Sequence, residues 1–453
     1  METQKKESFG NKIGFILAAA GSAVGLGNIW RFPYLAAKYG GGVFLLIYII
    51  LSVTFGFTMM ITEIAIGRRT GSSVLRAFEK VDRRFKFVGP IASVVPFIIT
   101  PYYCVIGGWV IKYLVAFITG QGSTAADDGT FFSEYISNMP QSSLYFAIFA
   151  VLTATVIIFG VNNGIEKITK IMMPLLIACI IGIAIYCITI PGSFAGIKYY
   201  LLPDFTGFTV KKFLEAIVAA VGQLFYSLSI AMGILFTYGS YMRKEDSIEK
   251  SVHQIEFFDT GVALLAGFII VPAVFVFSNG DSAALSKGPS LMFITLPNVF
   301  QTMKGGNIVG TVFFLLVALA ALTSSISLLE AMVSIINEKF NCGRIVSTVI
   351  CFVFLIILGM SSVLGYSNWS NFTIFGYQLL DFYDFISNNV LMPIVAFITC
   401  ILIGHFAKTK YIEDEVCSNN NKFAWRALYR INVCVLCPIF LLIILITNFV
   451  LQI

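Results

Sequence analysis

Gly14-Phe-Ile-Leu-Ala-Ala-Ala-Gly-Ser-Ala-Val-Gly-Leu-Gly-Asn-Ile-Trp-Arg-Phe-Pro33 is apolar enough to enter lipid, yet it is badly built for a continuous helix. Gly21, Gly25 and Gly27 crowd its middle, while Ser22 and Asn28 add side-chain oxygens. Glycine weakens a helix interior. Backbone that unwinds at membrane depth has no water to bond, so it survives only against protein or a water-filled cavity. Small residues also serve close helix packing, but packing does not call for hydroxyls and amides among the glycines. A second stretch repeats the pattern: Gly222-Gln-Leu-Phe-Tyr-Ser-Leu-Ser-Ile-Ala-Met-Gly233, with Ser227, Ser229 and Gly233 at its centre.

The rest of the chain supplies the setting. Of 453 residues, 58% are hydrophobic and 12% charged, against about a quarter charged in soluble domains. This excludes a soluble enzyme with a small membrane attachment. A β-barrel shows short alternating segments, whereas unbroken apolar runs dominate here, at residues 45–60, 312–322 and 435–451. At about 20 residues per crossing, the runs predict an all-α integral membrane protein of eleven spans, near 11–37, 41–70, 87–119, 143–160, 165–188, 212–241, 256–278, 306–337, 345–364, 373–406 and 425–451.

The net charge of +6 is a membrane signal and not a nucleic-acid one. The cations sit in clusters between spans, such as Arg68, Arg69, Arg76, Lys80, Arg83, Arg84 and Lys86, and no nucleic-acid-reading motif accompanies them. Most of them fall on one side if the N-terminus is cytoplasmic, which the positive-inside rule then requires. An odd span count places Ile453 outside, and the polar start leads into a span and not a cleavable signal peptide. Most cysteines lie inside apolar runs and read as small hydrophobes; the Cys434-x-x-Cys437 pair lies in an apolar helix, which argues against a redox role.

The two broken spans are the first and the sixth, five apart. That spacing points to two inverted five-helix repeats, about 11–188 and 212–406, plus an extra helix near 425–451, with a binding site at the midplane. The chemistry of a break is direct: half-helix N-termini attract a carboxylate, while freed carbonyls and side-chain oxygens coordinate a hard cation such as Na⁺.

These stretches, with Tyr39-Gly-Gly-Gly42, Gln223-Leu-Phe-Tyr-Ser-Leu-Ser229 and Leu322-Thr-Ser-Ser325, resemble the neurotransmitter:sodium symporter family, and in particular its eleven-span bacterial amino-acid transporters. The resemblance implies two sodium sites. One would use Ala23, Asn28, Ser227 and Asp259 with the substrate carboxylate, the other Gly21, Val24, Ala320, Thr323 and Ser324. It implies a substrate pocket of Ser22, Ala23, Gly27, Ile99, Tyr103, Tyr226, Ser227, Ser229, Met232, Ser324 and Leu328, with Tyr103 holding the substrate carboxylate and Tyr102 packing beside it. Asp259 stands where many members have Asn, and its fixed charge would make chloride unnecessary. Gly25 occupies the position of the acid that pairs with amines in monoamine carriers, so the resemblance favours a zwitterionic hydrophobic or aromatic amino acid. Arg31 and Asp384 would form an outer gate. Lys6, Phe9 and Glu338 would form an inner one, departing from the usual Arg, Trp and Asp.

Gly164 and Pro174 bracket the cytoplasmic start of the fifth span. Proline lacks one hydrogen-bond donor and glycine eases unwinding, and the spacing resembles a family feature that would open a release path for the second sodium.

These expectations describe a sodium-coupled importer working by alternating access in a plasma membrane, such as a bacterial inner membrane, with the lipid bilayer and a small amino acid as its partners. The competing classes are an ion channel, whose filters also use broken helices and oxygen-lined sites, and an amino-acid sensor that transports nothing. The two histidines, His253 and His405, form no catalytic or metal-ligand set, so an enzyme is not expected.

Overall fold

The apolar runs become helices because lipid leaves every backbone polar group to find its partner within the chain. A computed structural model describes residues 8–277 and 291–450, with side chains through 447. Among the described residues there is no β-strand beyond two isolated bridges. Nine helices of the described residues are long and apolar enough to cross a membrane: α3 (Gly42–Thr70), α4 (Val88–Ile118), α5 (Met139–Ile158), α6 (Val161–Ile188), α9 (Ile248–Phe277), α10 (Gly306–Phe340), α11 (Arg344–Tyr366), α12 (Leu379–Phe406) and α13 (Arg426–Thr447). A tenth span is a bent pair, α1 (Lys12–Ala23) and α2 (Gly27–Lys38), meeting at 51°. The predicted sixth span is likewise two helices, α7 (Val210–Ser227) and α8 (Ile234–Tyr241), with residues 228–233 outside both.

Most predicted boundaries agree to within a few residues. The seventh span differs: α9 begins at Ile248 and not near 256, because Ile248, Val252 and Ile255 continue its buried face two turns further. The tenth begins at Leu379 and not near 373, since residues 367–378 form turns around the Ile374–Tyr377 bridge.

Burial separates the helices that carry a site from those that face lipid. In α4, 78% of the most apolar window is buried, against 28% in α13. α10 packs along α4, and α1 packs against both α9 and α10, so the first break is surrounded by protein on all sides: Gly21 through Ile29 are buried. The second break needs left-handed backbone at two residues that are not glycine, Ser229 (φ 55°) and Ala231 (φ 61°), besides Gly233 (φ 77°). Such geometry costs roughly 1–2 kcal/mol per residue and persists only where the surroundings impose it. Here the Glu63 carboxylate of α3 accepts the Ala231 N–H at 2.8 Å.

Candidate functional site

The two breaks face each other across the buried centre. Ser22 and Ser229 meet Oγ to Oγ at 3.0 Å, and Ser229 Oγ reaches the Ser22 carbonyl at 3.2 Å. Within the first break, the Gly25 N–H donates to Asn28 Oδ1 at 3.2 Å and the Leu26 N–H to the Tyr103 hydroxyl at 3.3 Å.

Between the breaks lies a small cavity of about 20 Å³. Ser22, Gly27, Ile99, Tyr103, Tyr226, Ser229, Met232, Ser324 and Leu328 line it, together with Gly25 and Ile234, which the sequence reading did not place on its wall. Ser227 turns instead toward Asp259, and Ala23 is buried at the first break. None of the lining residues is charged. The wall has no spare room at its glycines: a Cβ on Gly25 would stand 2.6 Å from Ser324 Oγ and 3.0 Å from the Tyr103 hydroxyl, and one on Gly27 2.5 Å from the Tyr226 ring. A side chain at position 25 would therefore have to displace the Ser324 and Tyr103 hydroxyls.

Beside the cavity, Asp259 is fully buried and its carboxylate gathers three donors. These are Asn28 Nδ2 at 2.7 Å, Ser227 Oγ at 2.5 Å and the Tyr48 hydroxyl at 3.0 Å. Three of the four residues expected to form a first sodium site thus already touch, with Tyr48 as a partner the sequence did not single out. Asp259, Ser227 and the Asn28 Oδ1 could offer the oxygen ligands that suit an alkali cation, although here Asn28 turns its nitrogen to Asp259 and its Oδ1 to the Gly25 N–H. Of the second expected set, Ser324 reaches the first break, while Thr323 and Ala320 bond each other within one turn of α10. The Ser324 hydroxyl faces the carbonyls of Gly21, Ser22 and Val24 at 3.4, 3.1 and 3.5 Å, and Thr323 Oγ1 lies 3.0 Å from the Ala320 carbonyl.

Tyr226 separates this cavity from an outer one of about 270 Å³, lined by Trp30, Arg31, Tyr34, Asp381, Asp384 and their neighbours. Arg31 lies over the Tyr226 ring at 5.6 Å. Asp384 accepts from the Tyr102 hydroxyl at 3.0 Å and from Asn388 Nδ2 at 2.6 Å. The expectation that Tyr102 merely packs gives way to a hydrogen-bonding role. Among the ion pairs of the described residues, none joins Arg31 directly to Asp384.

On the opposite side, Phe9 is buried edge-on against Phe15, Tyr238 and Tyr241, with ring centroids 5.6, 5.5 and 6.4 Å away. Glu338 accepts from both the backbone N–H and the hydroxyl of Ser73. Lys6 lies outside the described residues. The sequence reading missed a buried network beside these groups: Arg344 grips Glu330 at 2.5 and 3.2 Å, and the Tyr241 hydroxyl donates to Glu330 at 2.8 Å. An acid inside the apolar run of α10 was a legible signal, since such residues are rare in spans and usually functional. Gly164 sits in a π-helical turn, Val161–Glu166, where a Cβ would strike the Val156 carbonyl at 2.2 Å. Pro174 lies inside α6, and its neighbour Met173 approaches Gly21 of the second ion set.

Comparison with known proteins agrees with this geometry. The sequence matches the sodium:neurotransmitter symporter family over residues 6–126 and 130–452. It is 32% identical to an uncharacterised sodium-dependent transporter of Haemophilus influenzae over 98% of both chains, and 34% identical to one of Bacillus subtilis over 92% of this chain and 90% of that one. The crystal structure of MhsT in complex with L-phenylalanine superposes with a TM-score of 0.88 at 36% identity, covering 98% of this chain and 100% of that one. Fold, cavity and relatives agree that this chain is a membrane transporter and not an enzyme, and that it belongs to the sodium:neurotransmitter symporter family.

Proposed function

We propose that the protein imports a zwitterionic hydrophobic or aromatic amino acid together with two Na⁺, without chloride, by alternating access. The observation that carries this reading is a cavity with no charged lining residue, placed between two helix breaks and beside a buried carboxylate. A ligand there must bring its own charges. Its carboxylate finds the break N–H groups, the Tyr103 hydroxyl and the first Na⁺, and Ile99, Met232, Ile234 and Leu328 offer its side chain an apolar wall. The similarity to a structure that holds L-phenylalanine supports the same substrate class.

In this reading Ala23, Asn28, Ser227 and Asp259 hold one Na⁺, and Gly21, Val24, Ala320, Thr323 and Ser324 hold the other. Asp259 supplies the negative charge that chloride would otherwise provide. Arg31 and Asp384 close the outside, and Lys6, Phe9 and Glu338 close the inside. Residues 11–188 and 212–406 form the inverted halves that rock about the site, with the N-terminus in the cytoplasm of a cell with a bacterial-type inner membrane and the C-terminus outside.

A competition panel tests the substrate class. Proteoliposomes taking up labelled L-phenylalanine in Na⁺ are challenged with each of the twenty amino acids and with phenethylamine. Large apolar amino acids should compete and the amine, which lacks the carboxylate, should not. Competition by the amine as strong as by phenylalanine itself would contradict the proposal.

A further inference from the structure

Tyr102 and Tyr103 are adjacent on α4 but serve different places. Successive helical residues point about 100° apart, so the two hydroxyls diverge. Tyr103 lines the inner cavity and accepts the Leu26 N–H of the first break. Tyr102 is fully buried, lines neither cavity, and donates to Asp384 Oδ1 at 3.0 Å. Asn388 closes the arrangement, its amide nitrogen reaching Asp384 Oδ1 at 2.6 Å and the Tyr102 oxygen at 3.3 Å. Asn388 belongs to a π-helical segment, Phe385–Leu391, directly after Asp384. Such segments re-aim side chains and concentrate at functional sites.

We infer that Tyr102 and Asn388 position the Asp384 carboxylate, and that the Tyr102–Tyr103 pair links closure of the outer cavity to occupancy of the inner one. The inference rests on the reading of Asp384 as part of the outer gate. Its physical basis is the shared backbone. Pro101 directly precedes the pair inside α4, and a proline within a helix removes one hydrogen bond and leaves the carbonyl a turn earlier free. The helix is thus weakened at Pro96 and Pro101, in the segment that leads into both tyrosines, and the pair can shift with it. When a substrate carboxylate draws the Tyr103 hydroxyl, the turn moves and carries the Tyr102 hydroxyl, and Asp384 with it. Asp384 itself faces the outer cavity together with Arg31, so a shift of its carboxylate alters the electrostatic closure above Tyr226.

Tyr102 and Asn388 are positioning residues, and a double-mutant cycle tests that role. Protein loaded with Na⁺ and labelled L-phenylalanine is diluted into unlabelled ligand, and outward release is followed for wild type, Tyr102→Phe, Asp384→Asn and the double variant. Each single variant should release label at least about tenfold faster, the scale of losing one hydrogen bond to a charged group. The double variant should be no faster than Asp384→Asn, because residues that act through one another do not add. Asn388→Ala run through the same cycle gives a second, independent case should Tyr102→Phe fold poorly. Effects that multiply in the double variants, or wild-type release from Tyr102→Phe and Asn388→Ala beside fast release from Asp384→Asn, would overturn the inference. Wild-type release from Asp384→Asn would instead sink the gate reading beneath it.

Discussion

Asp259 shows how much one buried residue decides. A carboxylate removed from water costs several kcal/mol unless its charge is compensated, and the three donors around it supply hydrogen bonds but no positive charge. In the proposed function a Na⁺ would supply that compensation. Replacing Asp259 by Asn keeps the shape and removes the charge, so uptake should either be lost or become dependent on chloride. Uptake by Asp259→Asn in gluconate buffer equal to wild type would show that the charge has no such role. Asp259 was legible from sequence because an acid stands out in an apolar span. Tyr48 and Tyr102 were not. Tyr48 reaches Asp259 across 211 positions and Tyr102 reaches Asp384 across 282; a tyrosine among 43 phenylalanines and 19 tyrosines looks like packing until its distant partner is known. Glu330 was visible as an intramembrane acid, but its partner Arg344 starts the next helix and reads by itself as an interface cation.

At the scale of elements, the breaks were readable because glycine and hydroxyl clusters oppose the helix locally, and local opposition is what a single sequence reports well. The bend of 51° between α1 and α2 and the left-handed residues between α7 and α8 follow from those clusters. The early start of α9 was less legible, since residues 248–255 mix charges with a narrow apolar face and only packing against neighbours decides their state. The start of α6 is a third weakened element. Its first turn is already π-helical, and Gly164 is required there by the Val156 carbonyl. Glu166, in the same turn, accepts the Gly10 N–H at 2.7 Å and ties the N-terminal segment to it. Unwinding between Gly164 and Pro174 would loosen that tie and bring water toward Thr323 and Ser324. Pro174→Ala restores a hydrogen bond that such opening must break, so outward-facing substrate binding should stay within about twofold while turnover falls severalfold. Turnover equal to wild type, with the segment equally accessible to water in Na⁺ and K⁺, would make Pro174 an ordinary kink.

Across the whole molecule, one set of contacts lies on each side of the inner cavity. Tyr226 and the Arg31–Asp384 region stand above it, and Phe9 with the Glu330–Arg344–Tyr241 network stands below. A single site closed on alternate sides is what coupling requires, because an ion that crossed without substrate would waste its gradient. In the proposed coupling, two Na⁺ entering with a neutral zwitterion would carry two charges, worth roughly 4.6 kcal/mol per 100 mV, enough for more than a thousandfold accumulation at about 1.4 kcal/mol per decade. The most direct measurement is uptake of labelled L-phenylalanine into proteoliposomes under an imposed inside-negative potential, with Na⁺ or K⁺ as the only external cation. The account predicts concentrative uptake in Na⁺ that rises with the potential and saturates with substrate, and no accumulation in K⁺. Equal uptake in the two cations, or Na⁺ current without substrate and no accumulation, would contradict it.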